Sequence, residues 1–182
     1  MTIQMENGYK KEIQRYVNSQ EQYIEQARKL EQACNLYKNR YEKMEYYYNQ
    51  YLSLGESAHK KLRRILNAET LEMFMAWGTQ WDNIQALWKE ISFWLDEYPG
   101  DTVNRLSGIF DYFFSIYYEN NQYGGKKKYT RQEVNIGDEF DDFLYTRKGG
   151  AVAGKITEVL LLGYGQTDGE EFELKEKSIV KI

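Results

Sequence analysis

The chain has 182 residues, a formal net charge of -4, 29% charged and 16% aromatic residues, one cysteine, one histidine and one proline. The acidic balance argues against a general nucleic-acid binder. One cysteine excludes an internal disulfide framework and fits a reducing compartment. The longest apolar run, Val159 to Leu162, is far too short to span a bilayer. Met1 to Gly8 is polar and carries no signal-peptide core, so the expected compartment is the cytoplasm, with no membrane partner.

After about ten polar residues expected to fray, Ile13 to Tyr51 reads as one long helix. Ile13, Tyr16, Gln20, Tyr23, Ala27, Leu30, Cys34, Tyr37, Tyr41, Met44, Tyr48 and Tyr51 recur at alternating steps of three and four, a single stripe with one polar member. Such a helix is about 60 Å long at roughly 1.5 Å per residue, more than a small domain covers. With no second long polar helix in the chain, the expected partner is a second copy, paired through Tyr23, Leu30, Tyr37 and Met44. The heptad placement of the tyrosines favours packing over stacking on bases or sugars.

Leu54-Gly55-Glu56-Ser57 interrupts the stripe, with Ser57 as the expected cap of the next helix, and Lys60, Lys61, Arg63 and Arg64 form a basic, solvated face. A second periodicity, Phe74, Trp77, Trp81, Ile84, Trp88, Ile91, Leu95 and Tyr98, predicts one helix with a broad apolar face. Glu97 to Asp101 is a turn, with Asp101 or Thr102 expected to cap a third helix bearing Val103, Leu106, Phe110, Phe113 and Tyr117. Two helices alone would leave this aromatic surface wet. Two such hairpins from two protomers would close a four-helix bundle, with Trp81, Trp88, Phe110 and Phe113 at the dimer interface.

Asn120 to Lys128 reads as a flexible linker. Strand-like alternation then begins: Thr130 to Ile136, the branched run Ala151 to Leu162, an Asp168-Gly169 hairpin turn, and Phe172, Leu174, Ile179, Val180 and Ile182. A β module of about 50 residues has a thin core and should dock on the helices or on a partner. The expected organisation is therefore α+β: residues 1-56 a coiled-coil helix, 57-122 a helical dimerisation region, and 129-182 a small β domain.

The chain carries no convincing catalytic constellation. One histidine rules out most histidine-based acid-base and zinc schemes, and Cys34 lies on the heptad seam with no second cysteine or histidine motif. In a parallel pair the two Cys34 thiols would face each other. Gly149-Gly150 and Gly163-Tyr164-Gly165 lack the pattern of a phosphate loop, and Asp141-Asp142 and Glu170-Glu171 read as surface turns. No enzyme activity, metal or cofactor is expected.

Three segments resemble the GrpE family, the nucleotide exchange factors of DnaK-type chaperones. Gly137-Asp138-Glu139-Phe140-Asp141-Asp142 is similar to the family's Gly-x-x-Phe-Asp-Pro entry to its β module. Gly154 to Tyr164 is similar to its Gly-x-Val-x-x-Val-x-x-x-Gly-Tyr strand, and Lys177 to Ile182 to its final strand. The layout matches over the whole chain and the motifs over about the last 45 residues. The family's proline and following histidine are replaced by Asp142 and Tyr145, and the arginine before the last strand by Glu176. The resemblance implies a homodimer whose β module wedges open the ATPase domain of a DnaK-type chaperone and speeds ADP release. By motif position it places Leu160, Ile182 and Glu170 at that contact. The competing reading is a dimeric coiled-coil scaffold or adaptor with an SH3-like peptide-binding β module.

Overall fold

A computed structural model describes residues 2–121, 127–149, 153–168 and 171–182. The fold is α+β, with five helices followed by six strands among the described residues. The chain divides into two units, Met1–Glu45 and Tyr46–Ile182, so the helical region and the β module expected as separate domains fall in one unit.

Helix α1 (Thr2–Leu52) starts well before Ile13, so the opening residues are helical rather than frayed. Over the first unit its stripe faces water: Tyr16 is 66%, Tyr23 69%, Leu30 67% and Tyr37 70% exposed. From Tyr46 onward the same stripe turns into a core. Tyr48 and Tyr51 pack on Phe74 at 5.5 and 5.6 Å, Tyr51 being 3% exposed, and beside the stripe Tyr47 stacks on Tyr112 at 4.5 Å. The Tyr51 hydroxyl donates to the Leu66 carbonyl and accepts from the Ala68 amide, pinning that connecting segment to the long helix.

Helix α2 (Glu56–Leu62) is capped by Gly55 rather than Ser57, because Gly55 adopts the extended conformation at the helix entry. Ser57 lies inside the helix and its hydroxyl pairs with that of Tyr98 at 3.0 Å. The expected single helix over Phe74 to Tyr98 is broken into α3 (Leu71–Gly78) and α4 (Trp81–Glu97). Gln80 is extended at the break, and the Thr79 hydroxyl donates back to the Met75 carbonyl, closing α3. Thr70 caps α3 by accepting from the Met73 amide. Helix α5 (Gly100–Asn121) begins before the expected caps, Asp101 and Thr102: the Pro99 carbonyl accepts the first bonds from Thr102 and Val103, and Asp101 sits in the first turn, where a carboxylate suits the helix dipole.

The strands form two three-stranded sheets. The first orders β1 (Lys127–Arg131), β4 (Tyr164–Asp168) and β5 (Glu171–Glu176), all antiparallel, and the register pairs Asp168 with Glu171 across the expected hairpin turn. Gly169 and Glu170 themselves lie outside the described residues, as do Ala151 and most of the expected linker. The second orders β2 (Tyr145–Arg147), β6 (Ser178–Lys181) and β3 (Glu158–Leu161), with β2 parallel and β3 antiparallel to β6. Only two residues separate β3 from β4, and one separates β5 from β6, so the chain crosses between the sheets twice over short spans. A buried polar knot joins them. The Gln132 side-chain carbonyl accepts from both the amide and hydroxyl of Ser178, its amide group donates to the Leu144 carbonyl, and Ser178 Oγ accepts from the Gly163 amide.

The β module docks on its own helices. Tyr164, fully buried, meets Trp81, Trp88, Phe110 and Phe114 at ring separations of 5.7, 6.2, 6.4 and 5.6 Å. Arg131 lays its guanidinium over Phe110 at 4.5 Å and Phe114 at 5.2 Å, donates to the Leu162 carbonyl, and pairs with Asp111. The Trp88 indole donates to the same carbonyl at 2.9 Å. Lys148 reaches Asp96 at 2.9 Å and Lys89 reaches Glu176 at 3.7 Å. The aromatic surface is thus dried within one chain.

Candidate protein-interaction site

The three segments singled out by resemblance meet in space. The Gly137 amide donates to the Ile156 carbonyl, the Phe140 amide to Gly154, and the Ile156 amide to Asp138, with Glu139 and Lys155 bridged in antiparallel fashion. Gly137 has φ +98°, in the region open to glycine, which lets the chain turn into this bridge. The final strand β6 then inserts between β2 and β3, and Tyr145, Ile156 and Val180 form the core, flanked by Val134, Phe140 and Val159. Burial raises the Tyr145 phenol above its ordinary pKa, and the neighbouring carboxylates of Asp138 and Asp141 raise it further.

Leu160 and Ile182 are half-buried, one on β3 and the other just past β6, so each offers part of its surface to a partner. Ile182 lies against Gly154, where an added Cβ would stand 2.9 Å from its Cγ2. Glu170 lies outside the described residues. Glu176, in the place of the family's arginine, is held by Lys89 from α4.

The residues expected at a dimer interface divide into two sets. Tyr23, Leu30 and Tyr37 are exposed and Met44 is half-buried. Trp88 at 5%, Phe110 and Phe113 at 0% exposure are buried by the chain's own elements, and Trp81 is half-buried against Tyr117 and Tyr129 at 4.5 and 4.0 Å. The missed signal is Tyr164: a Gly-Tyr pair closing a strand reads as a turn, whereas its ring anchors the module to α4 and α5.

The chain matches no family model, no curated protein and no solved structure. Among the described residues, no group of three or more histidine, cysteine, aspartate or glutamate side chains is placed to hold a metal ion. None of their helices is long and apolar enough to cross a membrane. Cys34 is exposed on α1, and the His59 ring stands edge-on to Tyr51 at 4.6 Å. What the β module offers is surface: strand edges and loops carried on a rigid, aromatic-cored support.

Proposed function

We propose that this chain is a homodimeric nucleotide exchange factor that promotes ADP release from a DnaK-type chaperone by binding and opening its ATPase domain. The observation that carries the reading is the convergence of the three resembling segments on one small sheet, with Leu160 and Ile182 partly uncovered beside them. The action is mechanical. A factor that binds the open, nucleotide-free chaperone better than the closed one shifts the equilibrium by that difference in affinity and no more. The welded support suits the task, since a wedge on a compliant base would spend its binding energy on its own deformation.

The test is release of a fluorescent ADP from DnaK-type chaperones with and without the protein. Acceleration is expected, and a charged substitution, Leu160→Glu, should abolish it while leaving the circular dichroism spectrum intact. Unchanged release with every chaperone of the same cell would sink the reading. Deleting residues 129–182 would be a poor control, because it would bare Trp81, Trp88, Phe110 and Phe114.

The exposed stripe on α1 favours a second reading, a coiled-coil scaffold or adaptor. It predicts self-association and partner binding indifferent to nucleotide.

A further inference from the structure

The β module carries one surface used by neither its core nor its contact with the helices. Between Arg131 and Arg147 the chain has five carboxylates, Glu133, Asp138, Glu139, Asp141 and Asp142, and no lysine or arginine. In the same segment Ile136, Phe143 and Leu144 are 72%, 81% and 45% exposed. Phe143 is the most exposed of the large hydrophobic side chains among the described residues. A single exposed apolar residue needs no explanation, but Phe143 and Leu144 are adjacent and line the same surface, which marks a patch. Phe143 and Leu144 help line an open concavity of ≈ 750 Å³ together with Asp138 to Asp142, Tyr145 and Ala153.

The loop is held in place. Asp141 Oδ1 accepts from the Phe143 amide at 2.8 Å, and the Asp141 carbonyl accepts from the Leu144 and Tyr145 amides. Asp138 Oδ2 accepts from the Asn135 amide and side chain, and Gln132 holds the Leu144 carbonyl. An aromatic ring presented on an already ordered turn loses little further freedom on binding, which is how an interface anchor earns its affinity. The charge around it is mostly free: none of the five carboxylates is in an ion pair among the described residues. Lys155 stands opposite Glu139 in the bridge, and Lys177 gives its ammonium to the Asp142 backbone carbonyl at 2.6 Å rather than to a carboxylate.

We propose that the loop from Glu133 to Leu144 is a docking surface for a basic, amphipathic segment of a partner protein. Phe143 would anchor in its apolar face and its lysines or arginines would meet Glu139 and Asp142. Charge complementarity fixes the class of occupant, because nucleic acid and anionic lipid would be repelled. The inference stands apart from the exchange-factor reading, since it needs neither a chaperone nor nucleotide.

A fluorescein-labelled amphipathic peptide of leucine and lysine, titrated with the full chain and followed by anisotropy, tests it. A leucine-glutamate peptide of the same pattern and zwitterionic lipid vesicles serve as controls. The leucine-lysine peptide should bind, more weakly as salt rises. Phe143→Ala should raise Kd about tenfold or more, and Glu139→Gln with Asp142→Asn should raise it several-fold and flatten the salt dependence. Phe143 is too exposed for its truncation to unfold the module. Failure of the leucine-lysine peptide to bind, equal affinity in Phe143→Ala, equal binding of the glutamate peptide, or Phe143-dependent capture by vesicles instead would each overturn the proposal.

Discussion

The ring of Phe113 lies against the bare Cα of Gly78: a Cβ built on Gly78 would stand 1.9 Å from Phe113 Cζ. Glycine ends α3 here because α5 passes too close for any side chain. Phe113 cannot simply withdraw, because its other neighbours include Phe74, with ring centroids 4.7 Å apart, and Tyr112 at 5.4 Å. Gly78→Ala should therefore destabilise the Tyr46–Ile182 unit by about 1–3 kcal/mol or more, the scale of overpacking a filled core. The urea midpoint measures it, and a neutral outcome would mean that α3 and α5 can separate at no expense.

Arg131 ties the strands to α5 through packing as well as charge. Burial lowers its pKa, opposed by the adjacent Asp111 carboxylate, and the guanidinium stays charged. Arg131→Met keeps much of the stem but leaves the Leu162 carbonyl with the Trp88 indole as its side-chain donor. We expect a loss of about 1–3 kcal/mol, with Arg131→Lys recovering little of it because an ammonium cannot lie flat on two rings while serving two acceptors. Thermal unfolding of the pair of variants checks this.

Alkaline pH should undo the same core. Burial pushes Tyr164 up to about 12, with the Glu176 carboxylate adding to it, and burial pushes Tyr112 up to about 12, aided by Tyr47. Both phenols have folded pKa values above the unfolded value of 10.0, so the folded state holds their protons more tightly. Their contribution is complete below pH 10, falls as pH rises from there, and is lost once pH passes about 12. Each accounts for on the order of 3 kcal/mol. Stability measured across that range should fall more steeply in the wild type than in a Tyr112→Phe variant.

The buried knot of Gln132 offers a local test. Gln132→Leu would strand the Ser178 amide and remove the donor to Leu144, costing about 1–3 kcal/mol for the buried groups left unmade. The double change with Ser178→Ala would not recover this, because the backbone amide remains. Hydrogen exchange at Ser178 and Gly163 should accelerate in both variants.

The proposed homodimer is tested on α1: the wild type is expected to self-associate in sedimentation velocity and the double variant Leu30→Asp with Tyr37→Asp to run as a monomer, with the thermal unfolding of the Tyr46–Ile182 unit unchanged. Both side chains lie in the exposed stripe of the Met1–Glu45 unit. If the pairing is parallel, mild oxidation should cross-link Cys34 to its twin, and the double variant should lose that product.

Periodicity made the long helix legible by its single three-and-four stripe and α4 and α5 by their broad apolar faces, and it missed the break between α3 and α4 because Phe74, Trp81 and Trp88 keep the same spacing across it. At the end of α3 Gly78 meets a ring from α5, a contact no local window contains. In the strands, the branched run Glu158–Leu161 and Ser178–Lys181 declared themselves, whereas Tyr145–Arg147 is too short and polar to stand out. The destination of the aromatic faces was hidden too. Trp88 and Phe110 read as surface for a second copy, since nothing in their spacing reveals that Tyr164 and Arg131 would fold back onto them. Nothing in the run Asp141-Asp142-Phe143-Leu144-Tyr145 tells that Phe143 stays exposed while Tyr145, two residues on, enters the core.

The position of β6 between β2 and β3 has a consequence for biosynthesis. Neither outer strand can form a ladder until Ser178–Lys181 has been translated and has cleared the ribosome, and Val180 supplies the centre of their core. The helices emerge earlier and must wait with Trp88, Phe110 and Phe114 uncovered, a kinetic interval in which association with a neighbouring nascent chain competes with correct docking. Slowing translation across residues 122–182 should lengthen that interval and lower the soluble yield, while leaving the stability of the finished molecule untouched.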